Sequence, residues 1–244
     1  MESHQTRLGR IEIGERNELF RRLVELLHEA ASGPAANIGV GPSGGGTPQS
    51  WFRWVAQHGA LVPKDLRNVI WTVSDERHVP VEHPDSNFGN VLRLMLGPLG
   101  FREDKCFPWP VGFEPGAAAV AFASQWATRF GPDFSFDLCL LGLGEDCHTA
   151  SIFPHSPLFK REKPTLFAAV EGPDKGWRLT VTPSGLEKAG RINVLVTGAS
   201  KRDPLAAALL EDIDEPARPV QLLSRVAPRT TLLCDPAAAA GLPF

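Results

Sequence analysis

Residues 136–151 read Phe-Asp-Leu-Cys-Leu-Leu-Gly-Leu-Gly-Glu-Asp-Cys-His-Thr-Ala-Ser. A short apolar run that is bounded by glycine is typical of a strand buried on both faces, as in a parallel sheet covered by helices. Asp146 and His148 follow the apolar run. In open α/β sheets, ligands bind in the crevice at the carboxyl ends of the strands. We therefore predict that His148 is the residue that performs chemistry in this protein.

Strand and helix patterns alternate on both sides of this stretch. Alternation of this kind predicts a Rossmann-like α/β fold, with a doubly wound, mainly parallel sheet and helices on both faces. The predicted helices include residues 15–31, 117–130 and 204–210, a helix that begins at 47–48, a helix through 91–96 and a helical turn at 183–189. The predicted strands are residues 37–41, 69–73, 166–170, 177–181, 192–197 and 230–234.

Composition excludes several classes of partner. The chain has 244 residues, 43% of them hydrophobic, and a formal net charge of −3, so it carries no basic field for nucleic acid or anionic lipid. Its four cysteines lie far apart without metal-ligand spacing, and no apolar run approaches membrane-spanning length. The N-terminus has no signal-peptide core. We expect a cytoplasmic protein with reduced thiols, and neither nucleic acid nor membrane as a partner.

A glycine-rich loop follows the strand predicted at residues 37–41. It reads Gly-Pro-Ser-Gly-Gly-Gly-Thr-Pro over residues 41–48, and Thr47-Pro48 is a typical helix N-cap followed by the first helical residue. Glycines let backbone N–H groups converge on a phosphate, and the helix N-terminus adds partial positive charge. The loop lacks the lysine of a P-loop and is not the dinucleotide fingerprint. It is either a phosphate site or a plain structural turn.

Two more segments are predicted to reach the same crevice. Asp75-Glu76-Arg77 follows the strand at residues 69–73, and Lys201 follows the strand at residues 192–197. The alternatives are a solvated turn with a local ion pair for the first segment and an exposed surface side chain for Lys201.

Together these segments resemble the 6-phosphogluconolactonase family in order and spacing. The resemblance rests on residues 43–48, 75–77, 84–87, 136–154 and 196–201. It implies one α/β domain over residues 1–244, with the fold of glucosamine-6-phosphate deaminase and related sugar-phosphate isomerases. It also implies hydrolysis of 6-phosphoglucono-δ-lactone to 6-phosphogluconate, in the oxidative pentose phosphate pathway, without a metal or an organic cofactor.

The resemblance assigns four residues to catalysis. A δ-lactone is an activated ester, so the reaction needs a water that loses a proton and a stabilised oxyanion rather than a covalent nucleophile. Histidine suits general-base work at neutral pH, and His148 takes that role. Asp146 orients the imidazole or positions the water, Arg77 stabilises developing negative charge or holds substrate oxygens, and Asp75 is a further crevice carboxylate.

The phosphate of this small-molecule substrate is assigned to the glycine-rich loop. Ser43, Gly44, Gly45 and Thr47 hold it, and a cation neutralises its charge. Lys201 is the first candidate for that cation. Arg178, in a short match to a family arginine that precedes a strand, is the second candidate.

Two positions depart from the family pattern. Cys147 stands where the family usually has glycine, and a Cβ costs energy there if the backbone needs a positive φ. A reactive thiol beside a histidine is the alternative role for Cys147, but the sequence favours a structural substitution. Gly46 stands where the family commonly has serine, which removes one hydroxyl from the loop.

Two other functions stay open. The first is a glucosamine-6-phosphate deaminase or isomerase, but in that enzyme the histidine segment continues toward asparagine and glutamate before a proline. Here Ser151-Ile152-Phe153 precede Pro154, which favours lactone hydrolysis. The second is a catalytically silent sugar-phosphate binding protein in which Cys147 has disturbed the base.

Overall fold

The computed structural model describes residues 1–32, 38–59, 69–160 and 164–244. In chain order the strands are β1 (Glu2–Thr6), β2 (Gly9–Ile13), β3 (Ile38–Pro42), β4 (Val69–Trp71), β5 (Asp75–Arg77), β6 (Leu138–Gly142), β7 (Phe167–Glu171), β8 (Trp177–Val181), β9 (Arg191–Val196) and β10 (Thr230–Cys234). The α-helices are α1 (Arg16–Ala31), α2 (Gly46–Gln57), α3 (Asn87–Val91), α4 (Pro115–Phe130), α5 (Pro183–Glu187), α6 (Arg202–Leu210) and α7 (Pro236–Ala239). Shorter helical segments are the π-turn Leu92–Leu96 and the 3-10 turns Glu103–Lys105, Pro157–Lys160, Ala199–Lys201 and Pro219–Arg229.

Seven strands form the main sheet in the order β1-β2-β10-β9-β6-β3-β4. Every neighbouring pair is parallel except the antiparallel hairpin of β1 and β2. This confirms the predicted mainly parallel α/β sheet. The chain leaves β3 toward β4 and returns on the other side of β3 as β6, so the strand order reverses between β3 and β6. A reversal of this kind opens a crevice at the carboxyl ends of the two strands.

Helices cover both faces of the sheet. A Cβ on Gly39 would lie 2.6 Å from the ring of Trp126, so α4 packs on the face toward which Gly39 points. Arg191 is in register with Leu138, which is in register with Val40, so its side chain points to the opposite face. There its guanidinium binds Glu29 of α1 at 2.9 Å.

An aromatic cluster anchors the start of β6. Phe136 is fully buried, and its ring centroid lies 5.4 Å from that of Trp126 and 5.6 Å from that of Phe167. Edge-to-face pairs of this kind contribute roughly 0.5–1.5 kcal/mol each beyond their area burial. The cluster therefore fixes the strand that leads into His148.

A second sheet of three antiparallel strands, in the order β5-β8-β7, stands apart from the main sheet. The sequence predicted the β7 and β8 regions as strands but assigned Asp75–Arg77 to a loop at a strand end. That assignment was wrong, because these residues form β5 and pair with β8. Three residues are too few for alternation to appear, and the pairing partner lies a hundred residues further along the chain.

Three further boundaries differ from the sequence prediction. The hairpin of β1 and β2 was not predicted, because its first strand is mostly polar and exposed. Helix α2 begins at Gly46 with Gly45 as its N-cap, so the prediction of Thr47 as the N-cap was wrong. Asn37, the predicted start of β3, lies outside the described residues, and β3 is described from Ile38.

Candidate active site

A cleft of about 180 Å³ lies at the carboxyl ends of β3, β6 and β9. Six of the ten residues predicted for the site line it: Ser43, Gly44, Gly45, Thr47, His148 and Lys201. The other four, which are Asp75, Arg77, Asp146 and Arg178, are not among its lining residues. The cleft therefore joins the glycine-rich loop, the histidine and the lysine, as the sequence predicted.

The glycine-rich loop forms the amino end of α2. Gly45 has a φ of 95°, which glycine adopts without strain, and it turns the chain into the helix. The N–H groups of the first helical turn have no acceptor within the helix, so they and the helix dipole favour an anion in the cleft. A Cβ on Gly46 would meet nothing within 4 Å, so glycine in place of the family's serine leaves the start of α2 undisturbed.

Gly44 makes the closest approach in this loop. A Cβ at this position would lie 1.9 Å from Oδ1 of Asn87, which is buried in α3. The Asn87 side chain donates from Nδ2 to the Asp75 carbonyl at 2.8 Å, while Oδ1 has no hydrogen-bond partner. The loop is thus packed tightly against α3.

Lys201 enters the cleft from the turn after β9. Gly198 has a φ of 99°, and its N–H donates to both carboxylate oxygens of Asp235, at 2.9 and 3.0 Å. On the other side of the turn, the Thr197 hydroxyl donates to the Thr47 hydroxyl at 3.3 Å. Within the described chain Lys201 has no carboxylate partner, so its charge is available to an anion in the cleft. Sequence reasoning assigned no role to Thr197 or Asp235.

His148 and Asp146 form a bonded pair beside the cleft. The His148 Nδ1 atom lies 2.5 Å from Asp146 Oδ1, which also accepts the His148 backbone N–H at 3.1 Å. With Nδ1 donating to Asp146, Nε2 carries the lone pair, and no hydrogen-bond partner of Nε2 is found in the described part of the chain. Partial burial acts to raise the pKa of Asp146, but the backbone N–H and imidazole of His148 outweigh it and hold that pKa below its ordinary value. Asp146 thus remains a carboxylate that orients the ring.

Cys147 occupies a left-handed backbone position, with a φ of 64°. The glycine that the family usually has here therefore has a conformational reason. The thiol is buried and contacts the carbonyl of Pro204 in α6, with 3.5 Å between sulfur and oxygen. Burial raises the pKa of Cys147, which opposes thiolate formation and argues against a reactive thiol.

Asp75 lies behind the cleft rather than in it. Its buried carboxylate accepts the Ser43 hydroxyl on Oδ1 and the Ser151 hydroxyl on Oδ2, each at 2.8 Å. Ser43 belongs to the glycine-rich loop and Ser151 to the segment of His148. Asp75 therefore ties the two halves of the site together, and Ser43 has a carboxylate rather than a histidine as its partner. Ser151 belongs to the sequence motif of residues 136–151, but no local pattern predicts a role for it.

Arg77 and Arg178 lie opposite each other on β5 and β8. The Arg178 guanidinium is already paired with the Asp174 carboxylate at 2.6 Å. Arg77 donates from Nη1 to the Asp85 carbonyl at 2.9 Å. Because neither side chain lines the cleft, their roles toward a substrate stay predictions.

Glu76 is a buried carboxylate that sequence reasoning did not assign. It accepts the backbone N–H groups of Arg77, Asn87 and Phe88 and the hydroxyl of Ser86, at 2.6 to 3.1 Å. Burial raises its pKa to about 7, although these four donors act to lower it. Glu76 holds the start of α3 in place. Because Asn87 is the first residue of α3, Glu76 also keeps Asn87 packed against Gly44. The turn residues at 84–87 were the only sequence signal for this arrangement.

Two features of other kinds of site are absent from the described residues. No helix in this part of the chain is long and apolar enough to cross a membrane. Nor do the described residues contain a group of three or more His, Cys, Asp or Glu side chains that could hold a metal ion.

Comparison with known proteins gives matches over most of the chain. Residues 15–232 match the family model described as glucosamine-6-phosphate isomerases/6-phosphogluconolactonase. The chain is 33% identical over 186 residues to 6-phosphogluconolactonase from Synechocystis sp., covering 74% of this chain and 75% of that protein. It is 32% identical over 169 residues to 6-phosphogluconolactonase from Haemophilus influenzae, covering 69% and 72% of the two chains. The solved structure of 6-phosphogluconolactonase from Trypanosoma cruzi aligns over 100% of this chain and 99% of that one, with a TM-score of 0.79 and 26% identity.

Proposed function

The chain belongs to the family of glucosamine-6-phosphate isomerases and 6-phosphogluconolactonases, and we propose that it is a hydrolase that converts 6-phosphoglucono-δ-lactone to 6-phosphogluconate. The observation that carries the proposal is the joint presence of His148 and the glycine-rich loop in one cleft. Of the two reactions in the family's name, lactone hydrolysis is the one after which the similar proteins from Synechocystis and Haemophilus are named. The reaction belongs to the oxidative pentose phosphate pathway.

The amino end of α2 and Lys201 bind the substrate phosphate in this proposal. Backbone N–H groups of Gly44, Gly45 and Thr47 supply hydrogen bonds, while Lys201 supplies a full charge. Holding the phosphate at a distance from the reacting carbon fixes the lactone ring against His148, so part of the binding free energy serves orientation.

His148 acts as the general base. Nε2 takes a proton from a water molecule as the water oxygen bonds to the lactone carbonyl carbon, and the carbonyl electron pair moves onto oxygen. The tetrahedral intermediate then collapses, the bond from the carbonyl carbon to the ring oxygen breaks, and the proton on Nε2 passes to that ring oxygen. Asp146 holds the ring in the required tautomer and stabilises the imidazolium between the two steps.

The proposal assigns different roles to Asp75, Arg77 and Arg178. Asp75 is a positioning residue in this proposal, because both of its oxygens are engaged by hydroxyls of the flanking loops. Arg77 retains guanidinium donors beyond its bond to Asp85, and we assign it to the substrate oxygens or to the oxyanion. Arg178 binds the phosphate only if that group displaces Asp174, so Lys201 is the stronger candidate.

We further propose that residues 1–244 act as one domain in the cytoplasm. The second strand, β2, pairs with the last strand, β10, in the main sheet, which supports a single folding unit. The proposed mechanism uses no metal, no organic cofactor and no nucleic acid.

The test offers the purified protein each substrate of the family separately. The loss of 6-phosphogluconolactone, generated in situ, is followed against its spontaneous hydrolysis, and ammonia release from glucosamine 6-phosphate is measured in parallel. We expect acceleration of the first reaction and none of the second. Ammonia release without lactone hydrolysis would identify a deaminase, and binding of 6-phosphogluconate without either reaction would identify a silent binder.

A further inference from the structure

A second cavity lies at the amino ends of the strands of the main sheet, whereas the candidate active site lies at their carboxyl ends. Its volume is about 520 Å³, and it is bounded by the amino ends of β9 and β10, the hairpin of β1 and β2, and the end of α1. Small-molecule sites have volumes of roughly 300–1,000 Å³, so a metabolite fits here. None of its lining residues lines the cleft of His148.

The floor of this cavity is a row of polar residues across four neighbouring strands. Asn193 of β9 is in register with Thr231 of β10, Thr231 with Arg10 of β2, and Arg10 with Gln5 of β1. Residues in register on paired strands point to the same face of a sheet. This is the face covered by α1, where the centre of a parallel sheet is ordinarily apolar.

Asn193 is the feature that points to a ligand. Its side chain lines the cavity, yet the residue is only 2% exposed and Nδ2 has no hydrogen-bond partner. A buried donor that is left unsatisfied costs about 1–3 kcal/mol, and asparagine is disfavoured in strands. Nδ2 is itself buried in this orientation, so a ligand oxygen accepts the hydrogen bond once the Asn193 amide turns toward the cavity.

Three arginines surround the asparagine, which sets the charge of that ligand. Arg10 pairs with Glu12 at 2.8 Å and Arg191 with Glu29 at 2.9 Å. Arg229 donates to the Glu187 carbonyl and has no carboxylate partner in the described part of the chain. Each guanidinium has five donors, so several remain for an oxyanion. The three arginines face the two carboxylates of Glu12 and Glu29, so one positive charge remains in excess around the cavity.

We propose that this cavity is a second anion site, which binds a phosphate group through Asn193, Arg10 and Arg191. The phosphate is either inorganic phosphate or the phosphate of a small ester. The proposal does not depend on the function of the first cleft, because it uses no residue of that cleft.

Calorimetric titration of the wild-type protein with inorganic phosphate, and separately with glucose 6-phosphate, tests the proposal. Binding at two sites is expected for at least one of the two probes. If only the ester occupies the second site, the phosphate ester is the ligand, and if both do, the phosphate group alone is recognised. Lys201→Ala is expected to weaken binding at the first cleft and to leave the second site intact.

Asn193→Leu and Arg10→Gln are the decisive variants. Leucine has the branched shape of asparagine but is larger, and the adjoining cavity can take the added volume. Because leucine removes the unsatisfied amide, we expect the unliganded variant to melt no lower than wild type while its affinity at the second site falls about tenfold or more. Arg10 is exposed, so Arg10→Gln tests the same site without a change in the core. The proposal is overturned if neither probe binds at a site that is weakened by Asn193→Leu and Arg10→Gln and left unchanged by Lys201→Ala.

Discussion

Gly144 lies directly against His148. A Cβ on Gly144 would be 2.1 Å from His148 Nδ1 and 2.6 Å from Asp146 Oδ1, so any side chain here pushes the imidazole away from its carboxylate. We predict that Gly144→Ala folds but loses about 100-fold in kcat, since a displacement of about 1 Å at a catalytic group has an effect of that size. The control is Gly116→Ala in α4, where a Cβ meets nothing within 4 Å. Equal kcat values for both variants would contradict this role of Gly144.

Substitutions at Cys147 test whether its left-handed backbone conformation lowers kcat or the free energy of unfolding. His148 already contacts Asp146 with cysteine present, so we predict that Cys147→Gly changes kcat by less than about threefold. The free energy of unfolding also changes little, because the relief of backbone strain, roughly 1 kcal/mol, is offset by the lost burial of the thiol. Cys147→Val should lower the free energy of unfolding by about 2 kcal/mol or more, because a β-branched residue is strongly disfavoured at a φ of 64°. Urea unfolding and steady-state rates measure both. A large gain in kcat for Cys147→Gly would mean that the cysteine impairs the natural site.

Lys201 is predicted to act on the phosphate alone. Lys201→Ala should raise KM for the phosphorylated lactone about 10- to 100-fold, and should leave the hydrolysis of unphosphorylated gluconolactone unchanged. Lys105→Ala, in the turn Glu103–Lys105 away from the cleft, is the matched control. If both lactones were affected equally, Lys201 would have a role at the reacting carbon or in folding instead.

Glu76 predicts a specific pH dependence of stability. Burial raises its folded-state pKa from 4.5 to about 7, so between these values the folded protein binds more protons at this residue than the unfolded chain does. The Glu76 contribution to the free energy of unfolding therefore falls as pH rises from about 4.5 to 7, by about 3 kcal/mol in total. Glu76→Gln removes this contribution, so the free energy of unfolding of the variant minus that of wild type should rise across this range. A difference that is constant with pH, or that falls, contradicts the raised pKa.

The parallel sheet was predictable because the local sequence of its central strands is typical of buried strands. Residues 138–142 form an unbroken apolar run bounded by glycine, and β10 was predicted with the bounds that the structure gives it. β5 was not predictable, because Asp75–Arg77 are polar and become a strand only by pairing with β8. The same holds for the polar strand β1, whose partner and hairpin turn determine its structure.

The candidate site also contains residues that the sequence predicted and residues that it missed. Residues that face the cleft, such as His148 and Lys201, follow strands directly, and the fold brings the carboxyl ends of those strands together. The residues that support them were missed or misplaced, because their roles depend on contacts between distant segments. Asp75 bonding Ser151 joins positions 76 residues apart, and Asp235 holds Gly198 from beyond the last strand. No local sequence pattern indicates such contacts.

Substitution of His148 tests the central claim most directly. The rate of 6-phosphogluconolactone hydrolysis above the spontaneous background is measured for wild type and His148→Ala, together with calorimetric binding of 6-phosphogluconate to each. Loss of a general base costs about 10²- to 10⁴-fold, so we predict that the enzymatic rate of His148→Ala falls close to the background while product binding through the glycine-rich loop and Lys201 persists. A variant that keeps the full wild-type rate would contradict the proposed mechanism.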